Sequence, residues 1–309
     1  MPQPTYQQVH PVDIPLTNLS IAYTPENFIA DQVFPNVPVQ YLSGRYFTYT
    51  KADWLRRDVA VRAYGTRAAR AGYNLSTSAY QCVEQALATG VPDEIVANAL
   101  DPVQPLSDAT RYVTTQIYLQ VESDVSGKVF GTGSWSGSST PATLWSNDAS
   151  NPPVDVQTAA SGIASSIGRL PSIGVLGYPV WNTLLNNAEF LDRVKFGAAP
   201  GNPAVVTLQA AGALFQLAKV LVGLQIEDTA AEGVTSTLSF LWGNHMFVGY
   251  VAPNPSLLTP SAGYIFTYLQ RQIANFREEQ ERQQIVECRQ SWVTALTATD
   301  AGYLLKSVI

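Results

Sequence analysis

Two strand-like segments, Arg45-Tyr-Phe-Thr-Tyr-Thr-Lys51 and Tyr73-Asn-Leu-Ser-Thr-Ser-Ala-Tyr-Gln-Cys82, enclose residues 52–72, and reading them as one long hairpin over 44–82 decides the fold. Both are rich in aromatic and β-branched residues, the composition of strands. No tight turn joins them. The intervening residues carry Arg56, Arg57, Arg62, Arg67 and Arg70, with Trp54 and Tyr64 and little else from which a core could be built. A two-stranded ribbon is marginal alone in water, so this one needs a surface to lie on, and a second copy of the chain is the expected surface.

Charge supports that expectation. Residues 45–70 hold seven of the chain's 18 basic residues (Arg45, Lys51, Arg56, Arg57, Arg62, Arg67 and Arg70) and two of its 24 acidic ones, Asp53 and Asp58. The local balance is +5, and the rest of the chain is left at −11. A basic hairpin on an acidic body is complementary between copies, which steers and orients association. An acidic cluster at Glu278, Glu279 and Glu281 is a candidate partner for these arginines. Arginine outnumbers lysine 13 to 5, and guanidinium groups favour contact roles because they make bidentate bonds and stack on rings. The net charge of −6 argues against nucleic-acid binding as the main function.

Outward from the hairpin, residues 1–38 contain seven prolines among scattered apolar residues. That density excludes long helices and interior strands and predicts an extended arm, with at most a helical turn near residues 27–32. After the hairpin, Pro92, Asp93 and Glu94 suit the first turn of a short helix. Val113, Ile117, Val121, Val125 and Val129 then recur every four positions, predicting one long helix over 107–130 capped by Ser107 or Asp108. From 154 to 252 helical segments and short apolar strands alternate, as in an α/β subdomain. Strands return over 264–275 and 284–296, joined by the charged run 277–282. Strands at both ends are expected to pair, which makes the α/β region an insertion.

Catalytic chemistry finds little support. His10 lies in the proline-rich arm and His245 between two strands, and no nucleophile–base set, metal motif or phosphate loop accompanies them. No catalytic, cofactor-binding or metal-binding residues are therefore expected, and the chain is read as a non-enzyme. Cys82 and Cys288 read as buried thiols of a reducing compartment. Nothing resembles a signal peptide, and the most apolar run, 210–226, is interrupted by Gln216, Lys219 and Gln225, so no membrane span is expected.

This order of parts resembles the major capsid protein of tailed double-stranded DNA bacteriophages, with the α+β HK97-like capsid fold. Stretches that carry the likeness are Phe28-Ile-Ala-Asp-Gln-Val-Phe-Pro35, Tyr46-Phe-Thr-Tyr-Thr-Lys-Ala-Asp-Trp54, Val91-Pro-Asp-Glu94, Val175-Leu-Gly177, Leu257-Leu-Thr-Pro-Ser-Ala-Gly-Tyr264 and Asp300-Ala-Gly-Tyr303. The resemblance implies an N-terminal arm (1–38), an extended loop with flanking strands (39–90), a peripheral domain with its spine helix (91–153), an axial domain (154–252) and the C-terminal strands of the peripheral domain (253–309). It implies an extended-loop interface between subunits formed by Arg45, Lys51, Trp54, Arg56, Arg57, Arg62, Tyr64, Arg67 and Arg70. It further implies self-assembly into hexamers and pentamers of an icosahedral shell around double-stranded DNA, in a virion capsid assembled in the host cytoplasm. Portal, scaffolding and decoration proteins are the implied partners, with no cofactor and no membrane. The same fold also serves encapsulin-type shells that enclose cargo enzymes, which is the alternative.

Overall fold

A computed structural model describes residues 16, 17, 20, 26–49, 56–72, 75–100, 103–197, 206–231, 233–256 and 259–309. Its longest element is helix α3 (Pro105–Val129), after α1 (Ala30–Val33) and α2 (Asp93–Asn98). Pro105 sits at its first position, where a missing N–H costs nothing, and Lys128 lies near its negative end. Gln104, not Ser107 or Asp108, is the N-cap residue. The four-residue stripe behaves as read, since Val113, Ile117, Val121, Val125 and Val129 are all buried. At about 1.5 Å per residue the helix is roughly 37 Å long.

α3 lies across a four-stranded sheet in the order β1 (Asn36–Pro38), β11 (Gly263–Glu278), β12 (Gln283–Leu296), β4 (Val83–Pro92). The arm's strand β1 runs parallel to β11 at one edge and ends at Pro38, and an edge strand is one of the places where a sheet accepts proline. β11 and β12 form a long hairpin from Gly263↔Leu296 to Glu278↔Gln283, with a bulged stretch between Thr267 and Gln272. β4 pairs along β12 on the other side. Segments from both ends of the chain thus share one sheet, as expected.

A second, five-stranded sheet takes the order β5 (Gly137–Ser139), β13 (Gly302–Leu305), β10 (Met246–Gly249), β6 (Ile173–Gly177), β7 (Lys219–Gly223), and all its strands but β13 come from between β4 and β11 in the chain. Helices α4 (Pro152–Ile167), α5 (Tyr178–Leu184), α6 (Ala188–Gly197) and α7 (Leu208–Phe215) accompany it. α4 begins at Asn151, whose side chain accepts from the Val154 N–H, and ends at left-handed Gly168. A small hairpin, β8 (Ile226–Asp228) with β9 (Leu238–Phe240), projects from this unit. One correction concerns the C-terminal region: β13 does not stay with residues 263–296 but pairs with β10 and β5. A second concerns the apolar run 210–226, whose strand does not continue as one element past residue 223. It is cut at Gly223, where any side chain would overlap the Trp242 ring, and the chain then re-pairs as β8 with β9.

Buried side chains fall into three clusters. One, under α3, includes Phe34, Val125, Trp242, Phe247, Ile265 and Trp292 and so spans both sheets. A second fills the space among α4–α7, with Trp145, Phe190 and Phe215. The third is small and lies at the foot of the hairpin.

Candidate assembly hairpin and the joint between the sheets

The hairpin expected over 44–82 is present as β2 (Ser43–Tyr49) and β3 (Leu75–Gln81), antiparallel from Ser43↔Gln81 to Tyr49↔Leu75. Among its described residues, only the foot belongs to the subunit's core. Tyr46 and Tyr80 are buried with Val37, Val39, Cys82, Tyr264 and Phe266, their rings 5.6 and 5.1 Å from that of Phe266. Tyr46 also donates to the Leu296 carbonyl at 3.2 Å. Gly44 lets the strand pass beneath Tyr80, because a Cβ there would lie 2.7 Å from the phenol oxygen.

Residues 56–72 leave that foot without helix or strand, and every one of them is exposed. Val59 is 98% exposed, and Val61 and Tyr64 have no cover at all. Arg56 meets Asp58 at 3.4 Å and Arg45, in β2, reaches Thr77 at 3.4 Å. Among the described residues Arg57, Arg62, Arg67 and Arg70 form no ion pair. Lys51 and Trp54 lie outside the described residues.

Glu278, Glu279 and Glu281 sit where expected, at the turn of the β11–β12 hairpin. Arg277 binds Glu279 at 2.9 Å and Asp93 at 2.7 Å, and Gln283 donates to both Glu278 and Glu281. Within one subunit these acids contact none of the arginines of 56–72, and they remain exposed.

Sequence reading missed a buried acid. Glu122 is fully buried on α3 and accepts from the Ile29 N–H (3.2 Å), the Ala30 N–H (2.8 Å) and the Trp242 indole N–H. Burial raises its pKa, the three donors oppose that, and nearby Asp31 adds to it. Asp31, though exposed at the surface of α1, is raised by desolvation among its packed neighbours against the attraction of Arg271, whose guanidinium stacks 4.1 Å from the Tyr118 ring. A cavity of about 80 Å³ beside them is lined by Phe28, Asp31, Arg271 and Gln290. A signal existed: Thr110, Thr114, Glu122 and Ser126 form a second buried stripe one residue behind the valines.

His245 accepts from the Ser307 N–H at 2.8 Å and lies against Phe130, and burial lowers its pKa. Cys82 and Cys288 are free and buried. His10 lies outside the described residues. Among the described residues no cluster suited to a metal ion occurs, and no helix is long and apolar enough to cross a membrane.

No family model matches the chain. By structure it is similar to a phage-related protein from Bordetella bronchiseptica RB50, with TM-score 0.77 and 22% identity over 97% of this chain and 98% of that one. The capsid structure of cyanophage P-SCSP1u gives 0.60 and 12%, covering 92% and 89%. A virus-like particle from Pyrococcus furiosus gives 0.58 and 10%, covering 94% and 96%. The architecture is therefore the HK97-like fold of phage capsids. Sequence relatives narrow the class. The major capsid protein of Pseudomonas phage JBD67 is 26% identical over 239 residues, 76% of this chain and 75% of that protein. The major capsid protein of Burkholderia phage BcepMu is 24% identical over 313 residues, 96% of each. Both relatives are named major capsid proteins of phages, so the chain is similar to that class in sequence at 24–26% identity and in fold over nearly its whole length.

Proposed function

We propose that the chain assembles into hexamers and pentamers of an icosahedral shell around double-stranded DNA, with residues 44–82 laid on the neighbouring subunit as the extended loop. One observation carries this reading: residues 56–72, with five arginines and the uncovered Val59, Val61 and Tyr64, have no support from their own subunit. Arg45, Lys51, Trp54, Arg56, Arg57, Arg62, Tyr64, Arg67 and Arg70 form the contact, and Glu278, Glu279 and Glu281 of a neighbour are its acidic counterpart. The unit on the four-stranded sheet acts as the peripheral domain, with α3 as its spine. The unit on the five-stranded sheet acts as the axial domain. The role is structural, with no reaction of its own. Assembly takes place in the host cytoplasm, with portal, scaffolding and decoration proteins as partners and DNA meeting the inner surface without sequence specificity. Since a virus-like particle shares the fold, architecture alone does not separate a DNA-filled capsid from a cargo-filled encapsulin shell; the phage names of both sequence relatives favour the capsid.

The test is the combined replacement of Arg56, Arg57 and Arg62 by alanine. The subunit should keep its far-ultraviolet circular dichroism while negative-stain images show fewer or malformed shells. Shells of normal number, with wild-type resistance to heat and raised salt, would refute the role given to the arginines.

A further inference from the structure

Glu122 is shared between two separate segments of the chain. On one side, the Ile29 and Ala30 N–H groups are donors at the start of α1 without an intrahelical partner, and the N-cap residue Ile29 offers no side-chain cap. On the other, Trp242 arrives from the connection between β9 and β10, its ring 5.5 Å from Phe130 and its backbone against Gly177. Asp31 of α1 and Arg271 of β11 are the charged groups that face the site, with Tyr118 of α3 and Gln290 of β12. A second arm-to-insert bond runs beside it, from Lys219 Nζ in β7 to Gln32 Oε1 at 2.6 Å.

A buried carboxylate is costly unless its lone pairs are filled, and the cost of each vacancy grows as others appear. Withdrawing the arm removes two donors and makes the Trp242 bond the last support of a buried charge; withdrawing Trp242 does the converse. Because binding linkage is reciprocal, each segment holds the other in place by the same factor. We propose that Glu122 couples docking of arm residues 26–38 to seating of the inserted unit on α3, so that a change at either is transmitted to the other through one carboxylate. The device belongs to the subunit and operates whether or not it stands in a shell.

Hydrogen exchange read by mass spectrometry on the full-length protein tests this. Trp242→Phe removes the indole donor and keeps an aromatic ring. It should speed exchange of the Ile29–Phe34 amides about tenfold, the factor expected for losing a bond to a charged group. Trp292→Phe is the control, since its donor serves Asp124 on the same helix at 3.0 Å, and it should leave those amides within about twofold of wild type. Glu122→Gln should speed both segments, and adding Trp242→Phe to it should bring little further change. Should Trp242→Phe fail to fold, Phe34→Leu reads the coupling in reverse, through faster exchange at 242–246. Unchanged arm exchange in Trp242→Phe, an equal effect of Trp292→Phe, fully multiplicative effects in the double variant, or unchanged 242–246 exchange in Phe34→Leu would each overturn the proposal.

Discussion

Replacing Gly177 by alanine and Gly127 by alanine should move the subunit's stability in opposite directions. Gly177 ends β6 with φ −72°, a conformation open to any residue, so the cost of a side chain there is purely steric. A methyl group at Gly177 would overlap the carbonyl oxygens of Trp242 and Gly243 and lie 2.9 Å from the Trp242 carbonyl carbon. All three are backbone atoms, which cannot swing aside as a flexible side chain would. Residues 242–243 must retreat by about an ångström or more, and Trp242 is drawn off Glu122 and Phe130 as they do. Overpacking of this kind costs about 1–3 kcal/mol, and a lost hydrogen bond to a charge about 1.5–3 kcal/mol. The sum, about 2.5–6 kcal/mol, is a large part of the 5–15 kcal/mol that holds a typical domain.

Gly127 is the opposite case. It lies exposed within α3, and a Cβ there meets nothing within 4 Å. Alanine should add about 0.5–1 kcal/mol by removing the entropy that glycine loses in a helix. Urea unfolding of the soluble subunit, followed by far-ultraviolet circular dichroism, measures both. Gly177→Ala should lower the midpoint by about 1 M or more and Gly127→Ala should raise it slightly, each with the wild-type slope. A Gly177→Ala protein within about 1 kcal/mol of wild type at unchanged slope would refute the steric reasoning.

Two further outcomes follow from buried titratable groups. Cys288, whose thiol is pushed up to about 11 chiefly by burial, and Cys82, raised for the same main reason, should not react with a thiol reagent in the native protein at pH 8. Both should react once urea unfolds it, and fast labelling of either native thiol would contradict their burial. Glu122 has a raised pKa, so the native state binds its proton more tightly than the unfolded chain does. Its contribution to stability is fully present below the ordinary glutamate range and is lost as pH rises through the raised value. Wild type should therefore gain stability relative to Glu122→Gln as pH falls from 7 to the ordinary glutamate value of 4.5, and a constant difference in urea midpoint over that range would contradict this.

The elements legible from sequence were those in which one face repeats over many residues. α3 announced itself through five valine and isoleucine positions at a constant spacing, and β11–β12 through two long β-rich runs on either side of a charged turn. β4 was harder, because Val83-Glu-Gln-Ala-Leu-Ala-Thr-Gly-Val-Pro92 is largely exposed along its length and lacks a clear alternation. Its pairing with β12 makes it a strand. β13 is four residues long, and nothing in Gly302-Tyr-Leu-Leu305 says which sheet it completes; pairing with β10 decides it. The basic hairpin was legible as a segment without a core, and the structure supports that reading over 56–72. Glu122 was passed over because an acid inside a helix reads as solvent-facing until the second stripe at Thr110, Thr114 and Ser126 is seen to be buried as well.

The hairpin joins two kinds of contact whose weights differ. Its foot is held by Tyr46, Tyr80 and the close pass at Gly44, so the point from which residues 56–72 project is set by the subunit's own core. Beyond it, covering Val59, Val61 and Tyr64 would contribute roughly 5 kcal/mol of gross burial in all. An exposed arginine–carboxylate pair contributes about 0–1 kcal/mol and weakens with salt. In the proposed contact, Val59, Val61 and Tyr64 would therefore supply most of the affinity for a neighbour, while the arginines, set against the −11 balance of the remaining chain, would act chiefly on encounter rate and register. A +5 hairpin without apolar residues would bind wherever acid is exposed, and an apolar hairpin without arginines would bind in any register. Carried together on a foot fixed by the subunit's core, the two would favour one site on one neighbour in the proposed shell.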